Sequence, residues 1–291
     1  MKKNEVIEVL RNAGYQVEEV TNIKNGKEKQ GISIRKEGSC VAPVLYEENI
    51  KGIEDEAQLI AFTAECFYKA PDEDFSKLED FDSVKDFIFI GAEPLINQNR
   101  YLYGDKIVKF DSVKDIVFYL YINLDCILAA KTFATTRIKK DFLEKWGVTE
   151  DELFEIAALN TRKNTQICTM TEMLLGFGNL PEEVKEDLIN SEQYPMWVIS
   201  NKQKVKGAGI LYCEEYFSYI CNKYDWQEIT VIPSSIHELI IIPTPTKKAD
   251  INSMIHEVNE TQVAETDYLA DKCFIFNNDM HNFVPEDDLP F

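Results

Sequence analysis

An α+β fold is predicted, and three observations predict it. Helical and strand periods both occur along the chain, they do not alternate in a β-α-β rhythm, and strand-like runs dominate the stretch after Met196. The expected layout is a hairpin-containing N-terminal part, a helical middle, a strand-rich C-terminal part and an acidic tail. With 291 residues, 45% of them hydrophobic, the chain can bury a sizeable core, which excludes global disorder.

The elements follow in order. Val6, Ile7, Leu10 and Ala13 share one helical face, and Gly14 can stop that helix. Charges at Lys2, Lys3 and Glu5 stand where a signal peptide needs its apolar region. Tyr15 to Ile23 alternates weakly and meets Asn25-Gly26, the pair favoured in a type I′ hairpin turn. Lys29 to Arg35 is the return strand, with Ile32 and Ile34 on one face, and Val41 to Tyr46 a third strand. Glu54 to Ala70 reads as a helix with Ala57, Ile60, Ala61 and Ala64 inward. Pro71 to Asp82 is an acidic loop, and Phe87 to Ile90 a short strand. Asp111 to Lys140 reads as mainly helical, with a break. Its most apolar stretch, Ile116 to Ala134, is interrupted by Asn123, Asp125 and Lys131, so it is expected as a buried core helix and not a membrane span.

Thr149 and Glu152 form a capping box, with Val148 and Leu153 as the hydrophobic staple, and the helix they start runs to about Arg162. Pro181 to Asn190 begins with proline in a helical first turn. Strands are expected at Met196 to Ser200, Ala208 to Cys213, Glu228 to Ile232, Glu238 to Ile242 and, last, Lys272 to Phe276. Helices at Glu214 to Tyr224 and Asp250 to Ala264 separate them. Residues 277–291 contain no Lys or Arg and no periodicity, which points to a flexible acidic tail on a body of residues 1–276. Subdivision of that body into 1–104, 105–195 and 196–276 is one possible reading.

Lys plus Arg number 31 against 51 Asp plus Glu, a net charge of -20. Such a surface repels phosphate and anionic lipid, so direct nucleic-acid binding by the body and membrane association are not expected. The seven cysteines are scattered without any C-x-x-C, so reduced thiols and a cytoplasmic location are expected.

Chemical candidates are few. Ser234-Ser235-Ile236-His237-Glu238 is the best catalytic candidate: on an extended chain Ser235 and His237 share a face, and Glu238 or another carboxylate can orient the imidazole. No G-x-S-x-G elbow accompanies it, and a proline-flanked turn is the plainer reading. His256-Glu257-Val258-Asn259-Glu260 is similar to the zincin helix but carries Glu260 in place of the second histidine, so no metal site is expected. Gly207-Ala208-Gly209 lacks the residues of a phosphate loop and reads as the start of a strand with close backbone packing. No cofactor is implied.

Several segments together resemble a known family: Lys24-Asn-Gly-Lys27, Gly31-Ile-Ser-Ile34, Glu93-Pro-Leu-Ile-Asn97, Glu150 to Asn160, Met196-Trp-Val-Ile-Ser-Asn201, Lys206-Gly-Ala208, Ile232 to Glu238 and Glu257 to Val263. In this order they are similar to the domain of unknown function 5688 family over roughly residues 5–276. The resemblance implies a fold type and a habitat in Clostridia and related Firmicutes, often on mobile elements, and it implies no activity.

The last residues, Asp287-Asp288-Leu289-Pro290-Phe291, resemble the C-terminal tip of bacterial single-stranded-DNA-binding proteins, which recruits replication and repair enzymes. The rest of the chain has no basic, aromatic-studded OB barrel. The leading expectation is therefore a binding protein whose tip engages bacterial DNA-maintenance proteins. A hydrolase around Ser235 and His237 is the alternative from a different class, and an acidic DNA mimic or anti-defence module is a third.

Overall fold

The computed structural model describes residues 1–24, 27–39, 42–68, 75–95, 104–110, 113–124, 134–176, 196–243 and 248–284. They form two compact units, Met1–Ser76 and Lys77–Phe291, and the mixture of helices with antiparallel sheets makes the protein α+β.

In the first unit, helix α1 (Lys3–Asn12) buries Val6, Ile7 and Leu10, the face its spacing predicts. Strands β1 (Gln16–Lys24) and β2 (Lys27–Arg35) pair antiparallel from Gln16↔Arg35 to Lys24↔Lys27, so the register leaves two residues for the connection. Those two, Asn25 and Gly26, lie outside the described residues. Strand β3 (Val44–Tyr46) completes the sheet on β2, and the short helix α2 (Glu47–Ile50) follows directly. Helix α3 (Glu56–Tyr68) is turned relative to expectation: Leu59 and Thr63 point inward, while Ala57, Ala61 and Ala64 are exposed. Apolar area decides the rotation, because a buried leucine contributes about 1.5–3 kcal/mol and an alanine much less. Leu59 joins Leu10, Val17, Ile32, Ile34 and Leu45 in one core.

The second unit opens with α4 (Phe81–Val84) and a sheet centred on β6 (Ile116–Asn123). Strand β4 (Ile88–Pro94) lies on one edge of β6, while β5 (Val108–Lys109) and β7 (Thr135–Arg137) share the other. This corrects the helix expected over Ile116 to Ala134. Every residue of β6 is buried, so its run of aromatic and β-branched residues shows no alternation, and periodicity alone cannot tell such a strand from a core helix. Residues 125–133 lie outside the described residues.

Helix α5 (Lys140–Trp146) ends at Gly147, whose φ of 66° gives the left-handed cap that glycine favours. Helix α6 (Glu150–Asn164) starts with the expected capping box: Thr149 N–H donates to Glu152 at 2.8 Å, and Glu152 N–H donates to Thr149 Oγ1 at 3.2 Å. It covers the outer edge of β4, where Thr161 Oγ1 accepts from Ile90 N–H and Asn160 Nδ2 donates to the Ile88 carbonyl.

A six-stranded antiparallel sheet follows, built from β8 (Thr165–Thr169), β9 (Trp197–Asn201), β10 (Glu228–Ile232), β11 (Leu239–Ile242), β12 (Phe274–Asn277) and β13 (Asn282–Val284) in the order β13-β12-β10-β11-β9-β8. Helices α7 (Met170–Gly176), α8 (Glu214–Tyr224) and α9 (Lys248–Thr261) connect its strands. The helix expected over Pro181 to Asn190 lies outside the described residues.

Two expectations are corrected here. Gly207–Tyr212 is a 3-10 turn and not a strand. Its backbone lies directly on β4, since a Cβ on Gly209 would sit 1.8 Å from the Ile90 carbonyl oxygen. The strand at Phe274–Asn277 is also not the last. Residues 282–284 return as β13, held by Phe283 against Phe217 at 5.1 Å and Phe276 at 5.3 Å between ring centroids. Pairing of β4 with β6 spans residue 104, and pairing of β8 with β9 spans residue 195, so cuts at those points pass through sheets.

Candidate functional site

The site is built from a loop and one face of the β6 sheet. Asn201, at the end of β9, clamps the loop: its Oδ1 accepts from Val205 N–H and its Nδ2 donates to the Val205 carbonyl. Lys206 follows with a φ of 60°, a left-handed conformation that costs a residue with a Cβ about 1 kcal/mol or more. Its N–H donates to His237 Nδ1 at 3.0 Å. The His237 carbonyl accepts from Gly207 N–H and from Ser200 Oγ. A Cβ on Gly207 would lie 2.5 Å from that carbonyl oxygen, so the close approach requires glycine. His237 therefore fixes the direction in which Lys206 leaves the backbone.

Alternation along β6 puts Tyr119 and Tyr121 on one face, and the register adds Phe89, Gly91 and Glu93 from β4 and Arg137 and Thr135 from β7. Gly91 leaves room for the Tyr119 ring, which a Cβ there would meet at 2.4 Å. Glu93 is almost wholly buried, 1% exposed. Both its oxygens accept from Arg137, Oε1 from Nη1 at 3.0 Å and Oε2 from Nη2. The guanidinium also lies 3.8 Å from the centre of the Tyr119 ring. Across this face runs the Lys206 side chain. Its Nζ donates to Thr135 Oγ1 at 2.7 Å and stands 4.8 Å above the Tyr121 ring.

Burial pushes the Lys206 ammonium down to about 8, helped by the positive Arg137 and opposed by Glu93. Lys106 is also lowered, by burial first and then by Arg137. Burial raises Tyr119 to about 12 and raises Tyr121 as well, so both phenols stay protonated and neither serves as a base near neutral pH. A small cleft of about 10 Å³, roughly the room one water needs, lies beside Lys206 and Tyr121, lined also by Thr161, Asn164, Thr165 and Asn201. The arrangement can donate hydrogen bonds from a desolvated ammonium. Near pH 8 it presents a substantial fraction of neutral amine.

The catalytic candidates named from sequence are close together but wired locally. Ser235 Oγ accepts from the His237 N–H at 3.0 Å, and Ser234 Oγ donates to Glu238 Oε1 at 3.3 Å. Of the imidazole nitrogens, Nδ1 takes the Lys206 amide and Nε2 faces Asp267 Oδ1 at 3.4 Å. The bond from a serine hydroxyl to the imidazole, which a nucleophile and base need, is not formed here. His256 is exposed and faces Glu260 and Asp271. Among the described residues no group of three His, Cys, Asp or Glu is placed to hold a metal ion. Burial raises the thiols of Cys213 to about 12 and Cys221 to about 11, which removes them as nucleophiles. Asp287, Asp288, Leu289, Pro290 and Phe291 lie outside the described residues.

Lys206 was missed as a chemical residue. The signal for it was its place in Lys206-Gly-Ala208, one of the segments that carried the family resemblance, and the segments with Glu93 and His237 meet it in space. A comparison with known families matches residues 2–278 to the family of unknown function DUF5688. The chain belongs to the DUF5688 family. No curated protein and no solved structure matches it. Within this DUF5688 chain, described residues contain no helix long and apolar enough to cross a membrane.

Proposed function

We propose that this DUF5688 protein is a binding protein, carried by a bacterial mobile element, that presents Asp287-Asp288-Leu289-Pro290-Phe291 to DNA-maintenance proteins which read the tip of the single-stranded-DNA-binding protein. The observation that carries the reading is the segment itself, which begins three residues beyond an edge strand pinned by Phe283. Phe291 supplies a ring for an apolar pocket, and burying it is worth about 1.5–3 kcal/mol. Asp287 and Asp288 meet a basic rim and chiefly raise the association rate. The net charge of -20 keeps the body itself off nucleic acid. The hydrolase alternative gains no support, because neither Ser234 Oγ nor Ser235 Oγ is bonded to an imidazole nitrogen of His237.

The test is a fluorescence titration of peptide 283–291 against the tip-binding domain of a bacterial helicase or recombination mediator. Binding on the order of micromolar is expected, with competition by the cognate tip. Removal of Phe291 abolishes it. Equal binding without Phe291, or no competition, overturns the reading.

A further inference from the structure

We propose that strand β1 is the surface through which two copies of this chain join, edge to edge about a two-fold axis. Two three-stranded sheets then become one of six strands. β1 is nine residues long and pairs with β2 without a bulge. The other long edge is covered and the rest are short: α6 lies over β4 through Thr161 and Asn160, β3 and β13 have three residues each, and β8 has five. Natural edges are kept apart by proline, bulges, lysine or brevity. From Gln16 to Ile23, β1 has none of these.

The direction of its free backbone groups follows from β2. Ile34 N–H donates to the Pro43 carbonyl, so Ile34 and Ile32 point toward β3, while Gly31, Ser33 and Arg35 point toward β1. Opposite those three stand Val20, Glu18 and Gln16, which spend their N–H and C=O groups on β2. Val17, Glu19, Thr21 and Ile23 therefore turn theirs outward. Arg11 agrees with this direction, since its guanidinium donates to the Val17 carbonyl at 3.2 Å. Among the described residues nothing takes the outward groups of Glu19 and Thr21, and both residues are exposed.

The strand's own sequence favours a second copy as the occupant. With the axis at Val20, Glu19 stands opposite Thr21 of the other copy, Glu18 opposite Asn22, and Val20 opposite Val20. No like charges face each other, and the contact is self-complementary, as a two-fold interface requires. An axis at Glu19 would oppose two carboxylates, and one at Thr21 would run the pairing past the end of β1. In the Val20 register the two Glu19–Thr21 pairs exchange about four hydrogen bonds, and the valines meet in the closer, non-hydrogen-bonded pair. Glu19 is the one charged residue at the outward positions, and Lys3 already neutralises it at 2.5 Å. Long-range repulsion is also least here, because residues 1–76 hold ten Lys and Arg against fifteen Asp and Glu, a quarter of the chain's excess charge.

The experiment is sedimentation velocity of the full chain from about 1 to 200 μM. Small edge contacts are weak, so a Kd on the order of 10 μM is expected, and the average mass rises toward twice that of one chain. Thr21→Pro removes an outward N–H that β2 does not use, so the chain stays folded by circular dichroism and the dimer weakens at least about tenfold. Thr21→Glu sets a carboxylate against Glu19 of the other copy and weakens the dimer about tenfold, whereas Thr21→Lys leaves it as tight or tighter. On oxidation Val20→Cys cross-links to itself, read as the 20–20 peptide by mass spectrometry, and Glu18→Cys does not. A monomer across the whole range overturns the proposal. So does a dimer left intact by both Thr21→Pro and Thr21→Glu, or one cross-linked as well through residue 18 as through residue 20. If Thr21→Pro does not fold, Thr21→Glu against Thr21→Lys decides. None of these readouts involves the tip peptide, whose binding is measured separately.

Discussion

Replacing Lys206 by methionine keeps most of the apolar stem that crosses Tyr121 and removes the charge. In the folded protein the ammonium is depressed from 10.5 to about 8. Because the unfolded chain binds the proton more tightly, folding carries a penalty of about 3 kcal/mol at pH 7. The sign follows from the depressed pKa of a base: the penalty is complete below pH 8 and fades as pH rises from 8 toward 10.5. Methionine carries no such penalty, but it forfeits the bond to Thr135 and the approach to the Tyr121 ring, together about 1–2 kcal/mol. Lys206→Met is therefore expected to stabilise the protein by about 1–2 kcal/mol at pH 7.5 and to lose about 2 kcal/mol of that advantage by pH 9.5. Urea unfolding of both proteins at half-unit steps between pH 6.5 and 9.5 measures this. A stability difference that stays flat across the range would refute the reasoning, whatever its size, because only a buried, titrating lysine makes it slope.

Two further substitutions probe how the site is held. Gly209→Ala drives a Cβ into the Ile90 carbonyl, backbone against backbone, and should cost at least about 3 kcal/mol in urea unfolding; Gly52→Ala, whose Cβ has its nearest neighbour at 3.5 Å, should stay within about 0.5 kcal/mol. Equal effects would mean that the turn does not rest on β4. Arg137→Ala leaves the buried Glu93 without its partner and should cost about 3–5 kcal/mol. Adding Glu93→Gln should restore part of that loss, and a double-mutant cycle showing no coupling would contradict the bidentate pair.

Elements with local signals were legible in the sequence. The Thr149–Glu152 box, the Val6–Leu10 stripe and the Glu214–Tyr224 helix each announce themselves within a few residues, and the structure has all three. Strand β6 was not legible, because a segment buried on both faces offers neither the two-residue nor the 3.6-residue alternation that distinguishes strand from helix. The rotation of α3 turned on Leu59 outweighing three alanines, a matter of packing area and not of spacing. The candidate site failed for another reason. Lys206 meets Thr135 across 71 residues and His237 across 31, and Glu93 meets Arg137 across 44. Apart from Thr135 and Arg137 on β7, these partners stand far from one another in sequence, so nothing local distinguishes this lysine from the other cations of the chain. Ser235 and His237 stand two residues apart, and that closeness ties the Ser235 hydroxyl to the His237 backbone N–H and not to its ring.

The position of β13 has a mechanical consequence. Any partner that grips the chain beyond Val284 pulls on the outermost strand of a six-stranded sheet. Val284 pairs with Ile275 at the open end of the β12–β13 hairpin, so a load directed away from the sheet meets the ladder one pair at a time, like a peeling strip, and not all pairs in shear. Three pairs resist it weakly. The firmer resistance is Phe283, wedged among Phe217, Phe274 and Phe276. Once that ring leaves, residues 278–284 pay out roughly 25 Å of chain, and the next strand, β12, still pairs along its other edge with β10. The sheet thus carries a short, sacrificial length of line between a gripped terminus and the buried lysine site, and a tug on the one can be spent before it reaches the other.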